Sequence, residues 1–249
     1  MNFKKHLFNI CCSATFLLNS TVLAAPSGVI PYPNDLDIHT EGASSAPAEI
    51  NHTDSPYFTA PDFYNMTSSK WRTIITHFPS YQQSRENTCG PAAALTVLYY
   101  FGKTDETELS LAAAMKTQPY PIGTTPGDMV NYFKHIGWHV ESNLDGQSFT
   151  DYIAFADFVR TQLQQNHPIM VENVEWGGHW RVIIGYDTMG TDSWLDDVLI
   201  LADPYDTCDH QQDGYAVQNA TKFYAMWFDH SMLPKEQASQ PFILAYPQK

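Results

Sequence analysis

The sequence predicts an α+β fold, with helices gathered in the middle of the chain and a sheet assembled after them. Three observations carry that expectation. Helix-type spacing and helix caps are concentrated between residues 91 and 165. Apolar runs of β-formers follow, between 168 and 202, with weaker ones at 222–228 and 242–246. Strand and helix do not alternate as they would in a parallel sheet, and no internal repeat is visible.

The elements can be justified in order. Residues 71–78 hold β-formers and read as a strand or an ordered lead-in. Residues 91–101 are an apolar helix. Pro91 suits its first turn, where a missing N–H is no loss, and Gly102 stops it. Residues 105–115 make a second helix with Thr104 or Asp105 as cap. A third covers 126–135, opened by Thr124-Thr125 and closed by Gly137, with Val130, Phe133 and Ile136 at helical spacing. Residues 138–141 are a short strand. The fourth helix, 149–165, turns Ile153, Phe155, Phe158, Val159 and Leu163 toward the core. Residues 168–174, 180–186 and 198–202 are the central strands, and 222–228 and 242–246 offer one or two more.

The first two dozen residues read as an export signal. Lys4 and Lys5 precede an apolar stretch over 7–18, and Val22-Leu23-Ala24 suits a small-residue cleavage site. The stretch is too short and interrupted for a membrane span. The chain then divides into a signal (1–24), an extended linker or possible pro-segment rich in Pro, Ser and Ala (25–68), and one domain (69–249). The expected location is periplasmic or secreted. The whole chain carries a formal charge of −14, and the two lysines and no acids of the signal leave the remainder more acidic still. Such a charge disfavours nucleic-acid and anionic-membrane partners.

Cys89 is the residue on which chemistry converges. It stands where a loop gives way to a helix, followed by Gly90 and Pro91. Free N–H groups and the dipole at a helix start favour a thiolate. A sulfur nucleophile needs a base, and the base an orienter. His179, after Gly177-Gly178, opens one β-rich run, with Trp180 beside it as an aromatic shield. Asp203 ends the next. If the two runs pair as a hairpin, residues near the start of one meet residues near the end of the other. Asp187 closes the strand that His179 opens, over 20 Å away at about 3.3 Å per residue. Asp206 is a weaker alternative to Asp203, and His135, His139, His167 and His210 read as structural or solvated.

The order Gln83, Cys89, His179, Asp203 is similar to that of the papain-like cysteine peptidases. The blocks Gln-x5-Cys-Gly-Pro-Ala, Gly123-Thr124-Thr125-Pro126, Gly178-His179 and Asp203-Pro204 together resemble the bacteriocin leader peptidases and their stand-alone relatives, over roughly residues 71–206. The resemblance implies a papain-like fold, a helical part carrying the Cys packed on an antiparallel sheet carrying the His and Asp. It further implies peptide cleavage, often after paired glycines, with Cys89 as nucleophile, His179 as base, Asp203 as orienter and Gln83 as oxyanion donor. The relatives' transporter membrane domain has no counterpart here, and the region after 206 has no match, so substrate identity is not inherited.

Two other readings share these residues. A thioester on Cys89 can be passed to an amine, as in an acyltransferase or amidase. Alternatively, Cys89 bridges Cys208, its only possible partner once the signal's Cys11 and Cys12 are removed, and the chain is an inactive peptide-binding module. No cofactor or metal is expected. The acidic loop of Asp203, Asp206, Asp209, His210 and Asp213 fits neither an EF-hand nor a zinc spacing and reads as solvated. The expected partner is a peptide or protein substrate, and the expected state a monomer.

Overall fold

A computed structural model describes residues 28–248, apart from 53 and 60. The export signal expected over 1–24 lies outside the described residues. Among the described residues no helix is long and apolar enough to cross a membrane.

The first helix, α1 (Cys89–Tyr100), is buried from Cys89 through Leu98 and has no polar face. A helix apolar all round belongs inside the core. It opens two residues earlier than the sequence suggests, so the thiol lies in its first turn. Helix α2 (Glu108–Ala114) begins later than expected because Thr107, not Thr104 or Asp105, is its cap, in a reciprocal box with Ser110. Helix α3 (Pro126–His135) is capped by Thr125, and α4 (Tyr152–Gln164) by Asp151, which holds its start downstream of Phe149.

Seven strands form one sheet: β1 (Arg72–Ile74), β2 (Trp138–Ser142), β3 (Ile169–Asn173), β4 (His179–Asp187), β5 (Val198–Ala202), β6 (Tyr215–Asn219) and β7 (Phe242–Pro247). The order is β2-β7-β3-β4-β5-β6, all antiparallel, with β1 pairing the far end of β4 beyond β3. The layout is thus the expected α+β one, with the Cys on a helix and the His on an antiparallel sheet. Every residue of β4 from His179 to Tyr186 is buried, and both α1 and α4 pack on this strand. Strand β7 lies between β2 and β3, pairing with both, and Phe242 to Ala245 are core residues.

The region expected as a strand at 222–228 folds otherwise. Residues Ala220–Ala225 are a helix, α5, with Asn219 as its cap. The cap and the packing explain the difference: Asn219 accepts from Lys222 N and starts a helical turn, Phe223 stacks on Phe155 of α4, and Trp227, just past the helix end, packs tilted against the same ring. Strand β6 lies in a stretch that the sequence reading left unassigned.

Residues 28–68 form an arm with two short 3-10 turns. It is fastened rather than loose. Ile30 N donates to Ser80 O (3.0 Å), Ser44 N to Gln83 O (3.1 Å) and Tyr32 Oη to Gln82 O (2.7 Å). These ties fall on the loop that leads to Cys89.

Candidate active site

The loop 80–88 delivers both Gln83 and Cys89, and its shape is set by one buried acid. Glu108 accepts from Ser84 N (2.8 Å), Ser84 Oγ (2.7 Å), Tyr81 Oη (2.9 Å) and Thr88 Oγ1. Gly90 then lets the 123–124 loop close over the start of α1. A Cβ at Gly90 would lie 2.9 Å from Thr124 Cβ. Trp180 Nε1 donates to Thr124 O at 2.9 Å and anchors that loop to β4.

Antiparallel pairing of β4 with β5 puts Val182 opposite Ala202, so the chain past β5 turns beside the start of β4. There His179 Nε2 meets Asp203 Oδ1 at 2.7 Å, both side chains buried. Asp203 Oδ1 also accepts from Tyr205 N (2.8 Å), and Arg181 Nη1 stands 3.8 Å from its Oδ2. Cys89 and His179 line one cleft of about 240 Å³, with Gln83, Thr124, Trp176 and Gly178 among its other walls. None of the described residues between 28 and 68 lines it.

The electrostatics follow from this packing. Burial alone would strip the proton from His179. The Asp203 carboxylate and then the Cys89 sulfur outweigh that effect and push its pKa up to about 9. Burial works against the Asp203 charge as well, but His179, joined by Arg181, holds its pKa below the usual carboxylate range.

The profile of the Peptidase_C39 like family matches residues 75–231. The chain belongs to that family. It is a cysteine peptidase by class. No curated protein matches the chain. Among solved structures, it is similar to the peptidase domain of Streptococcus ComA, a bifunctional ABC transporter of a quorum-sensing pathway. The identity is 18%, with 69% of this chain and all of that one covered, at a TM-score of 0.43. A double glycine motif protease from an AMS/PCAT transporter, in complex with its leader peptide, aligns at 12% identity, covering 72% and 96%, with a TM-score of 0.40. The class assignment rests on the family match alone.

Several expectations about this peptidase need correction. Cys89 and Cys208 are both free, Cys89 buried in α1 and Cys208 exposed on the loop after Asp203, so the bridge that would make an inactive module is not formed. His179, expected in an exposed position between the glycines and Trp180, is buried, and Trp180 is buried too and is no shield over it. That place is taken by Trp176, whose ring lies 5.2 Å from the imidazole and is 59% exposed. Gln82 is committed elsewhere: its Nε2 donates to Asp203 O (2.7 Å) and its Oε1 accepts from Asp206 N (3.1 Å). Gln83 is the amide in the cleft wall, with Nε2 donating to Arg85 O (2.7 Å) and, more weakly, to Glu86 O (3.3 Å). Asp206 is buried, not solvated. It accepts from Asp213 N and Gly214 N, and burial beside Asp209 pushes its pKa up to about 9. Asp187 pairs with Arg72 at the opposite end of β4.

Sequence reasoning missed Arg181, Glu108, Glu172 and Asp229. Arg181 had a signal: it lies two residues after His179 on a strand, hence on the same face. Glu108 looked like an ordinary acid at a helix start.

The His179–Asp203 pair makes stability depend on pH in a defined direction. A histidine raised from about 6.5 to about 9 contributes stability that is complete below about pH 6.5 and lost as pH rises through about 9. Asp203, lowered in the fold, contributes above about pH 4 and loses it on acidification below that. The expected result is a urea midpoint that falls between pH 6 and pH 10, with a His179 share of roughly 3 kcal/mol that is lost in His179→Gln, while Asp206, also raised to about 9, supplies a slope of the same sign that remains in that variant. Equal slopes in the two proteins would rule out the coupling.

Proposed function

We propose that the protein is an exported peptidase that cleaves peptide bonds through a thioester on Cys89. The observation that carries this reading is the meeting of Cys89 with an imidazole that Asp203 holds protonated up to about pH 9. An imidazolium is the natural partner of a thiolate nucleophile.

In the proposed cycle the Cys89 sulfur attacks the scissile carbonyl carbon. The oxygen that becomes negative is met by the Cys89 backbone N–H, which no carbonyl within the helix can satisfy. The second N–H of Gln83, held only by its 3.3 Å contact with Glu86 O, turns to the same oxygen. As the C–N bond breaks, His179 passes its proton to the departing amine, leaving a thioester. His179 then takes a proton from water, the hydroxide oxygen attacks the thioester carbonyl, and the released sulfur recovers its charge beside the reprotonated ring. Asp203 keeps the imidazole in one orientation throughout, with Nε2 committed and Nδ1 left for the sulfur.

Export is proposed from the charged start and the apolar stretch at 7–18, and a monomer acting on a peptide or protein is proposed with it. The test is a brief iodoacetamide pulse on the folded protein without reductant, followed by mass spectrometry, and incubation with a peptide mixture with and without added amine. Faster labelling at Cys89 than at the exposed Cys208, abolished by His179→Ala, and new peptide termini bearing water's oxygen are expected. Amine-capped products in place of free acids would replace hydrolysis by acyl transfer. A Cys89 that labels no faster than Cys208 would refute the ion pair.

A further inference from the structure

The catalytic reading leaves unused the most unusual wall of the cleft. Glu172 of β3 and Asp229 both line it, and they are 2% and 0% exposed. Asp229 Oδ1 is fully occupied by Ser231 N, Ser231 Oγ and Met232 N. Among the described residues no N–H or alcohol hydroxyl donates to either oxygen of Glu172 or to Asp229 Oδ2. Burying a carboxyl without donors costs several kcal/mol unless something compensates.

The unused oxygens converge on one spot. A Cβ built on Gly178 would lie 2.6 Å from Asp229 Oδ2 and 3.1 Å from Glu172 Oε1. Gly178, at φ +119°, adopts a backbone that other residues rarely take, and its bare Cα is what gives the two carboxyls room beside His179. Burial, then the Asp229 charge and a hydrogen bond between the two carboxyls, push the Glu172 pKa well above the ordinary carboxyl range, with Cys89 adding to the shift. One proton shared by the pair still leaves one negative charge. Among the described residues no lysine or arginine lines the cleft to balance it, the His179 imidazolium is already matched by Asp203 and the Cys89 sulfur, and Glu86 adds a further acid. Arg181 is not in the cleft wall, and its two terminal nitrogens are engaged by Glu175, Asn173, Gln218 and Asp203, leaving only a buried Nε without a partner.

We propose that the Glu172–Asp229 pair is a subsite for a cationic group of the substrate, an ammonium or guanidinium carried by the peptide close to the bond that is cut. This rests on the cleft being the peptidase site. It adds a chemical requirement that the catalytic residues do not impose. A basic side chain, or a free amino terminus, supplies the missing counter-charge and the missing donors together, and a neutral residue of the same length supplies neither.

The test uses the full mature chain and quenched fluorescent peptides. One set carries lysine at each position in turn with an acetylated amino terminus. A second replaces lysine by norleucine or acetyl-lysine. A third has no lysine and a free amino terminus of variable distance from the cut. The expected result is a kcat/KM about 100-fold higher for the cationic member at one position, the size expected for a charged hydrogen bond. In E172Q and in D229N that ratio is expected to fall toward one. Preference in the first set assigns a side chain as the occupant, and preference in the third a terminal amine. Wild-type parity between charged and neutral peptides overturns the subsite without recourse to any variant, as does a ratio that both variants leave unchanged. Cleavage of no peptide at all is a different failure, which removes the peptidase reading of the cleft and the subsite with it.

Discussion

Cys89→Ala is expected to lower kcat/KM for any cleaved peptide by roughly 10⁴-fold or more, since the members of a triad such as the one proposed act as a unit and loss of the proposed nucleophile removes the covalent route. The fold should survive. Alanine is the best helix former, and position 89 lies in the first turn of a helix whose burial is shared by nine following residues up to Leu98. The change is also small in volume, so the melting temperature should move by only a few degrees. The comparison that matters is therefore turnover against thermal unfolding on the same preparation. Activity within tenfold of wild type in the Ala variant would remove the thioester mechanism, whatever the melting curve shows.

The second large effect concerns stability. Glu108→Ala is expected to destabilise the protein by about 3–5 kcal/mol, the usual consequence of taking one partner out of a buried charged network. Four donors, from Tyr81, Ser84 (two) and Thr88, converge on this one carboxylate. They would be left facing a cavity. Glu108→Gln keeps the volume and part of the bonding but brings N–H groups into a site populated only by donors, so its loss should fall between wild type and Ala. Urea unfolding checks the order. A surviving Ala variant should also turn over more slowly, because the loop that carries Gln83 is fixed by the same carboxylate. An unchanged urea midpoint in Glu108→Ala would mean that the loop is held by the arm at residues 28–68 instead.

Much of this molecule is legible in its sequence where the signal is local. The helix at 126–135 and the strand at 198–202 are bounded by caps, glycine and apolar runs that act within a few residues. The meeting of His179 with Asp203 follows from pairing two adjacent strands, which is the shortest-range tertiary inference available. Elsewhere the deciding contacts are distant. Aromatic residues at 223, 224 and 227 suit a strand by propensity, and Phe155 of α4, far back in the chain, is what 223 and 224 pack on from a helix and 227 from just past its end. Glu108 and Glu172 carry no mark of burial in their neighbourhoods. Their roles come from donors, or from the lack of donors, contributed by segments up to 57 residues away in the case of the Glu172–Asp229 pair. Asp206 misleads for the same reason, since acids crowded in a loop look solvated until the backbone folds around one of them.

The place of β7 has a consequence for how the chain comes to exist as a folded object. It fills a gap in the middle of the sheet between β2 and β3, yet it is synthesised after the other six strands. While the polypeptide is still emerging from the ribosome, β2 and β3 have no neighbour along those edges, and the apolar residues that Phe242 to Ala245 will cover remain open. The nascent protein therefore carries an unfinished, adhesive sheet until translation has nearly ended. An incomplete chain stopped before residue 242 would keep Gln83, Cys89, His179 and Asp203 and still lack the strand that closes the sheet.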